Sequence, residues 1–271
     1  MSSLMLRRMP ALILLVYAAP ALAADVDPVK QRLDNSPRHH EWQEIKTAAG
    51  RTVRTFVVFP ETKEPAAAVV VIHENKGLTD WVRGVADQLA EAGFVAIAPD
   101  FLSQTGPGGG ATDAYPSIDA ATQGIYKLDP KQVLEDLDAA VDFAKGLKSA
   151  NGKVAVAGFC WGGGKSFEAA AHNSRISAAF VFYGSAPNEA TLGKIAVPVH
   201  GFYGENDNRI TGQVPAVTEQ MKKLKKTYSP IVYSDAGHGF MRTGETAKAD
   251  DPNRKARDEA WATFKELLKK L

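Results

Sequence analysis

The segment Gly158-Phe159-Cys160-Trp161-Gly162 places a cysteine between two glycines, after an apolar run and before a helix-forming stretch. A sharp turn from a strand into a helix exposes the side chain at its centre, and glycine at both flanks relieves the crowding of that turn. At a helix N-terminus, the free amides favour a thiolate, and the backbone amide of Trp161 can donate to an oxyanion. The pattern predicts Cys160 as a nucleophile. The alternative is a glycine-rich turn around a buried thiol.

A nucleophile at such a turn requires a base later in the chain. Three histidines follow Cys160. His172 falls within the helix that follows the cysteine, and His200 falls within an apolar strand. His238 comes just after the last predicted strand, where parallel sheets present their sites, and glycine on both sides leaves its ring accessible. We therefore predict His238 as the base.

The acid should follow the strand predicted over 197–203. The segment Gly204-Glu205-Asn206-Asp207 offers two carboxylates there. Asp207 is favoured because its shorter side chain sits deeper in the loop, and Glu205 is the alternative. The acid would fix the imidazole tautomer and stabilise the imidazolium.

Glu74 lies in His73-Glu74-Asn75-Lys76-Gly77, where the first core strand ends. A carboxylate there either projects into the cleft or forms a salt bridge within the loop. In the cleft it would oppose ionisation of the thiol through like-charge repulsion. His73 is expected to be a structural, hydrogen-bonding residue.

Strands and helices alternate along the chain around these residues. Apolar runs predict a series of strands, and two further strands, over 41–48 and 51–59, precede them with a turn at Ala49-Gly50. Asp129-Pro130 predicts the start of a helix that runs to about Leu147. The pattern indicates an α/β fold: a mostly parallel central sheet with helices on both faces and N-terminal antiparallel strands. Residues 103–128 show no clear periodicity and are predicted to be a loop over the site.

The composition excludes several classes of protein. The chain has 271 residues, 45% of them hydrophobic, and a formal net charge of +1. This length supports a packed core, and the charge balance gives no electrostatic basis for binding nucleic acid. A single cysteine excludes an intramolecular disulfide and any metal site built on several thiolates.

The first 23 residues have the features of a secretory signal. Arg7 and Arg8 precede an apolar stretch, and Ala21-Leu22-Ala23 supplies the small residues of a cleavage site. The alternative is an N-terminal anchor helix. We expect cleavage after Ala23, one domain over residues 24–271, no stable membrane anchor after cleavage, and a periplasmic or secreted location.

With these motifs in hand, the chain resembles the dienelactone hydrolase (carboxymethylenebutenolidase) family of the α/β-hydrolase superfamily. The likeness runs from about residue 66 to the C-terminus. It rests on five motifs in family order, namely VIHENKGL, APD, NGKVAVAGFCWGG, FYGENDNRI and AGHGF. The resemblance implies an α/β-hydrolase fold, no cofactor, and a triad of Cys160, Asp207 and His238.

The resemblance also implies that Glu74 contacts the resting thiol, that the Asn75 amide completes the oxyanion hole, and that Arg242 holds a substrate carboxylate. An arginine bridging the loop to the last helix is the alternative for Arg242. The chain departs from the family pattern at Ser103, where no arginine follows the APD motif, and at Gly239, where serine is usual. The prediction is a hydrolase of a small ester, lactone or thioester, and the expected substrates include ones that bear a carboxylate. The alternative is a non-catalytic thiol protein that responds to redox state or binds small acids.

Overall fold

The computed structural model describes residues 28–246 and 250–271. The predicted signal segment and its cleavage site after Ala23 lie outside the described residues. Within them, no helix combines the length and the apolar character that crossing a bilayer requires.

The described residues form one eight-stranded sheet with the strand order β1-β2-β4-β3-β5-β6-β7-β8. The two N-terminal strands pair with each other antiparallel, and β2 joins β4 antiparallel; every pairing from β4 to β8 is parallel. The predicted α/β architecture with N-terminal antiparallel strands is confirmed. The strands are β1 His40–Lys46, β2 Thr52–Val58, β3 Ala66–Ile72, β4 Val95–Pro99, β5 Ala150–Phe159, β6 Ala178–Phe182, β7 Val199–Gly204 and β8 Tyr228–Tyr233.

Helices cover both faces of this sheet. The α-helices are α1 Pro28–Asp34, α2 Asp80–Glu91, α3 Ile118–Tyr126, α4 Pro130–Gly146, α5 Trp161–His172, α6 Glu189–Leu192, α7 Asn208–Thr211, α8 Val214–Lys223, α9 Phe240–Thr243 and α10 Asp251–Leu268. The predicted cap of α4 is confirmed, since the Asp129 side chain accepts a hydrogen bond from the Lys131 amide.

Two apolar layers hold the helices to the sheet. Helices α2 and α10 pack on one face, and α4, α5 and α8 pack on the other. After its first residue, β3 is buried along its whole length, which is why its sequence is a continuous apolar run. Its carboxyl end is therefore fixed between two packed layers, and the site is built at that edge of the sheet.

The prediction of a loop over residues 103–128 was wrong for its second half, which forms α3. Ser117 caps this helix by accepting a hydrogen bond from the Ala120 amide. Only Ala121 and Ile125 of α3 are buried, in a small cluster with Leu102. Because so few side chains of α3 are buried, its sequence has little of the apolar periodicity from which a helix is predicted.

Candidate active site

Cys160 lies at the turn between β5 and α5. Its backbone has φ 57° and ψ −114°, which L-residues rarely adopt. A Cβ on Gly158 would lie 1.9 Å from the Gly162 carbonyl oxygen, and one on Gly162 would lie 2.4 Å from the His73 carbonyl oxygen. The two glycines are therefore required by close backbone contacts, and these contacts hold Cys160 at the edge of the sheet.

The three residues predicted as a triad lie in one hydrogen-bonded line. His238 Nε2 is 3.2 Å from Cys160 Sγ, and His238 Nδ1 is 2.5 Å from Asp207 Oδ2. Asp207 is buried and follows β7, whereas His238 lies in the loop after β8. The arrangement suits proton transfer between sulfur and imidazole, with the carboxylate fixing the ring.

Hydrogen bonds between the loop after β7 and the loop after β8 hold the Asp207 and His238 side chains in this alignment with Cys160. The Asn206 amide donates to the Ala236 carbonyl at 2.9 Å, and its side chain donates to the Asp235 carbonyl at 2.9 Å. The Gly237 amide donates to Asn253 Oδ1 at 3.0 Å, which ties the histidine loop to α10. The base and the acid are thus positioned by backbone contacts as well as by their own hydrogen bond.

Glu205, the alternative acid, lies away from His238. It is exposed and accepts a hydrogen bond from the Asp235 amide at 3.1 Å. The structure therefore places Asp207, and not Glu205, against the imidazole.

Asp207→Asn is expected to lower kcat for an activated ester by about 10²-fold, because an amide favours the wrong imidazole tautomer and cannot stabilise the imidazolium. Glu205→Gln is the matched control and should stay within about twofold of wild type, since an amide oxygen still accepts from the Asp235 amide. Steady-state kinetics on both variants make the comparison. A larger loss in Glu205→Gln than in Asp207→Asn would contradict the assignment.

The surroundings of His238 favour its protonated form. Its hydrogen bond with Cys160 raises the pKa of the imidazole, burial opposes the rise, Asp207 adds to it, and the pKa reaches about 8. An imidazolium beside the sulfur stabilises a thiolate there. The contact between His238 Nε2 and Cys160 Sγ is therefore one in which a protonated imidazole can stabilise developing charge on the sulfur.

Trp161 and Asn75, the two residues predicted to supply oxyanion amides, follow Cys160 and the end of β3, respectively. Trp161 is the first residue of α5, so its amide has no partner within the helix. Its indole stacks on the His73 ring with centroids 5.5 Å apart. Asn75 follows β3, and its side chain donates to the Tyr126 hydroxyl at 3.2 Å. Both residues lie at the carboxyl edge of the sheet, and their roles remain predictions.

Glu74 and Arg242 form a pair that the sequence analysis did not anticipate. Arg242 Nε donates to Glu74 Oε2 at 2.8 Å, and the Glu74 side chain is only 5% exposed. In this structure Cys160 Sγ is hydrogen-bonded to His238, and the contact between Glu74 and the resting thiol stays a prediction. A buried carboxylate needs a charged partner, and the guanidinium satisfies that need better than a thiol.

A cavity of about 260 Å³ opens beside Cys160, lined by the start of α5, the chain after β6, and α7. Tyr183 lines it, a residue that the sequence analysis missed. This side chain is buried, its hydroxyl has no hydrogen-bond partner among the described residues, and its ring lies edge-on to His238 at 5.1 Å. The available signal was its position at the end of an apolar run, before Gly184, at the carboxyl edge of the sheet.

The other histidines have structural surroundings. His172 Nε2 lies 2.8 Å from Asp138 at the end of α5, and the half-buried His200 stacks on Phe180. His73 is buried between the Glu74 carbonyl and the Phe101 amide, and burial lowers the pKa of its ring. No group of three or more potential metal ligands occurs in residues 28–246 and 250–271.

Comparison with protein families gives one match that covers most of the chain. The model of the dienelactone hydrolase family matches residues 53–271. A Yersinia pestis protein, provisionally named a carboxymethylenebutenolidase, is 31% identical over 188 residues, which cover 65% of this chain and 69% of that protein. Carboxymethylenebutenolidase 1 of Cupriavidus pinatubonensis is 26% identical over 202 residues, 74% of this chain and 86% of that enzyme.

A solved structure supports the same architecture. A protein from Klebsiella pneumoniae subsp. pneumoniae, provisionally named a dienelactone hydrolase, superimposes with a TM-score of 0.76 at 23% identity. The match covers 86% of this chain and 99% of that one. At this identity the likeness concerns the fold, which is that of the α/β-hydrolases.

Proposed function

The chain belongs to the dienelactone hydrolase family, and from that membership we propose that it hydrolyses a small ester, lactone or thioester through Cys160, His238 and Asp207. The observation that carries the proposal is the line of hydrogen bonds from the sulfur through the imidazole to a buried carboxylate. Nucleophilic acyl transfer requires a nucleophile, a base and a group that orients the base, and Cys160, His238 and Asp207 have the side chains for these three roles.

In the first half of the reaction, the Cys160 thiolate attacks the acyl carbon, and the carbonyl oxygen takes up the negative charge. The backbone amides of Trp161 and Asn75 would donate to that oxygen. As the intermediate collapses, the bond to the leaving oxygen or sulfur breaks, and the leaving group takes the proton from the His238 imidazolium. The acyl group remains on Cys160 as a thioester. In a lactone, the released hydroxyl stays tethered to that acyl group.

In the second half, water attacks the thioester while neutral His238 accepts one of its protons. The C–S bond then breaks, and the thiolate and the imidazolium are regenerated with release of the carboxylic acid. Asp207 stabilises the imidazolium at both stages. The two half-reactions use only side chains and backbone amides of this chain and the water molecule that is consumed.

The test is a panel of aryl esters, thioesters and small lactones incubated with the purified protein, with acid release followed in a pH-stat. Hydrolysis of at least one class above the background rate is the expected result. The competing hypothesis, a non-catalytic thiol protein, predicts no turnover of any member together with reversible oxidation of Cys160. That outcome would overturn the proposal.

Glu74 is proposed to control the charge beside the sulfur through Arg242. Burial lowers the pKa of Arg242, but the pairing with Glu74 outweighs it and raises that pKa, with smaller contributions from Tyr183 and, last, Cys160. These groups therefore interact electrostatically. While Glu74 is ionised, its charge offsets that of the guanidinium, so the sulfur experiences little net positive potential from the pair.

Glu74→Gln should accordingly increase the rate at which iodoacetamide alkylates Cys160, by about threefold to tenfold at neutral pH, because the unopposed Arg242 cation stabilises the thiolate. Turnover should fall, since the arginine is no longer held in place. Mass spectrometry of the alkylated protein measures the rate.

Glu168→Gln is the matched control, because Glu168 is a carboxylate at the cavity that pairs with Lys165 instead. If Glu74→Gln labels and turns over as wild type does, Glu74 is only a loop acid and its proposed role is wrong.

We further propose a periplasmic or extracellular location, which is supported by residues 1–23 alone. Expression in a bacterial host followed by intact-mass analysis tests it. A mature chain that begins at Ala24 is expected, and a full-length chain in the cytoplasm would contradict it.

A further inference from the structure

The two amides proposed for the oxyanion hole are held in different ways. The Trp161 amide belongs to the first residue of α5, so the helix sets its direction. Asn75 lies in the loop after β3, outside any helix or strand. Its amide donates to no other residue in the part of the chain that the structure describes. A contact other than regular secondary structure must therefore set the direction in which the Asn75 N–H points.

The carbonyl of Glu74 and the N–H of Asn75 belong to one peptide group. A peptide group is planar and trans, so its C=O and its N–H point in opposite directions. A hydrogen bond that holds the Glu74 carbonyl therefore also sets the direction of the Asn75 N–H. The same hydrogen bond polarises the peptide group, which makes the N–H a stronger donor.

The His73 side chain forms this hydrogen bond. Its Nδ1 lies 2.7 Å from the Glu74 carbonyl oxygen, and its Nε2 lies 3.2 Å from the Phe101 amide nitrogen. An amide N–H only donates, so Nε2 is the accepting nitrogen, and the proton of the neutral ring is on Nδ1, which donates to the carbonyl. The side chain is fully buried, and burial lowers the pKa of the ring, which keeps it neutral.

The packing around His73 fixes the plane of its ring. The ring stacks on the Trp161 indole with centroids 5.5 Å apart and lies edge-on to Phe101 with centroids 5.4 Å apart. The Gly77 amide also donates to the Glu74 carbonyl, at the longer distance of 3.3 Å. The imidazole therefore contacts both the residue that carries one oxyanion donor and the peptide group that carries the other.

We propose that His73 is a positioning residue of the oxyanion hole, which directs the Asn75 amide at the substrate carbonyl oxygen by holding the Glu74 carbonyl. The proposal rests on the proposed function and deepens it by assigning a task to a buried histidine whose hydrogen bonds are both to the backbone. Oxyanion stabilisation depends on donors that are aligned before the charge develops. A rotation of this peptide group would turn its N–H away from the oxyanion and leave the triad in place.

Two substitutions separate this role from a purely structural one. In His73→Asn, the side-chain nitrogen takes about the place of Nδ1 and can donate to the Glu74 carbonyl. In His73→Gln, the side-chain amide takes about the place of Nε2 and can accept from the Phe101 amide, but the donor to the Glu74 carbonyl is lost. His200→Gln, at a half-buried histidine that stacks on Phe180, is the matched control.

The first readout is kcat for the member of the ester, thioester and lactone panel that the wild-type protein hydrolyses fastest. His73→Gln is expected to lower this kcat about 10-fold to 100-fold, less than the loss of a whole oxyanion donor, whereas His73→Asn should stay within about threefold of wild type. The control should match wild type. Melting curves accompany the kinetics of all three variants.

The second readout is the alkylation of Cys160 by iodoacetamide, a displacement at a saturated carbon that forms no oxyanion. Its rate should stay within about twofold of wild type in both His73 variants, because the groups that set the charge on the sulfur are unchanged. The Glu74 side chain is still held by Arg242, and His238 still contacts the sulfur. A histidine that only supports the fold would change both readouts together.

Equal losses of kcat in His73→Gln and His73→Asn, or no loss in His73→Gln, would overturn this inference and leave the proposed function standing. Alkylation that slows in step with kcat would overturn it as well. For variants that do not fold, the proton–nitrogen NMR spectrum of the histidine rings in the wild-type protein decides: a protonated Nδ1 is expected for His73, and a protonated Nε2 would overturn the inference. If the wild-type protein hydrolyses no member of the panel, it is the proposed function that fails.

Discussion

Cys160→Ala is expected to lower kcat for a hydrolysed ester by about 10⁴-fold or more, while leaving the fold intact. Without the sulfur no acyl-enzyme forms, and only binding and the oxyanion amides remain to assist attack by water. The smaller side chain keeps its Cβ in the same strained turn, whose course depends on the neighbouring glycines. The kinetics should be accompanied by circular dichroism and a melting curve.

Intact-mass analysis of the wild-type protein mixed rapidly with substrate gives a second measurement. An adduct with the mass of the acyl group should appear on the wild type and be absent from Cys160→Ala. Ser185→Ala, which also alters the cavity lining, is the control and should retain the adduct. Retained turnover in the Cys160→Ala variant would remove the cysteine from the mechanism.

His238→Ala should lower kcat by about 10³-fold to 10⁴-fold, because the proton transfers of both half-reactions pass through the imidazole. The sulfur also loses the imidazole whose Nε2 lies 3.2 Å from it in the structure and whose protonated form stabilises a thiolate. Alkylation by iodoacetamide at neutral pH should therefore slow in the same variant, a readout that a purely structural histidine would not change. His172→Ala is the matched control, since that ring binds Asp138 away from the site.

The pH dependence of the wild-type protein tests the form in which this pair reacts. The pKa of His238 is raised from 6.5 to about 8, chiefly by its hydrogen bond with Cys160, so the imidazolium persists to that pH and is lost above it. If the ion pair is the attacking form, kcat/KM should fall with a midpoint near pH 8. A profile that rises through this pH would instead identify neutral histidine as the base.

The amino-acid sequence was sufficient to predict the sheet and the order of nucleophile, acid and base along the chain, because both depend on local sequence patterns. Continuous apolar runs are typical of buried parallel strands, and β3 and β5 were found in this way. The glycines around Cys160 indicated the turn because only glycine allows such close backbone contacts. His238 was found from its place after the last strand.

The pairing of Glu74 with Arg242 could not be predicted because it joins residues that are 168 positions apart. Which carboxylate accepts from which guanidinium depends on how β3 and α9 are placed by the sheet, and no local pattern encodes that distance. Tyr183 differs, because its place at the end of an apolar run before Gly184 was a usable signal, although its positive φ of 42° was not foreseeable from that run. Helix α3 was missed for a different reason, since most of its side chains face solvent.

The turn around Cys160 has a consequence for redesign of the chain. Its course is enforced by glycine contacts at Gly158 and Gly162 and not by the nucleophile, so a hydroxyl-bearing residue fits at position 160 without any change of main chain. A serine oxygen, on a shorter bond, would lie farther from His238 Nε2 than the sulfur does. The scaffold therefore accepts an oxygen nucleophile sterically, and conversion to an efficient serine hydrolase would require the histidine loop to move inward.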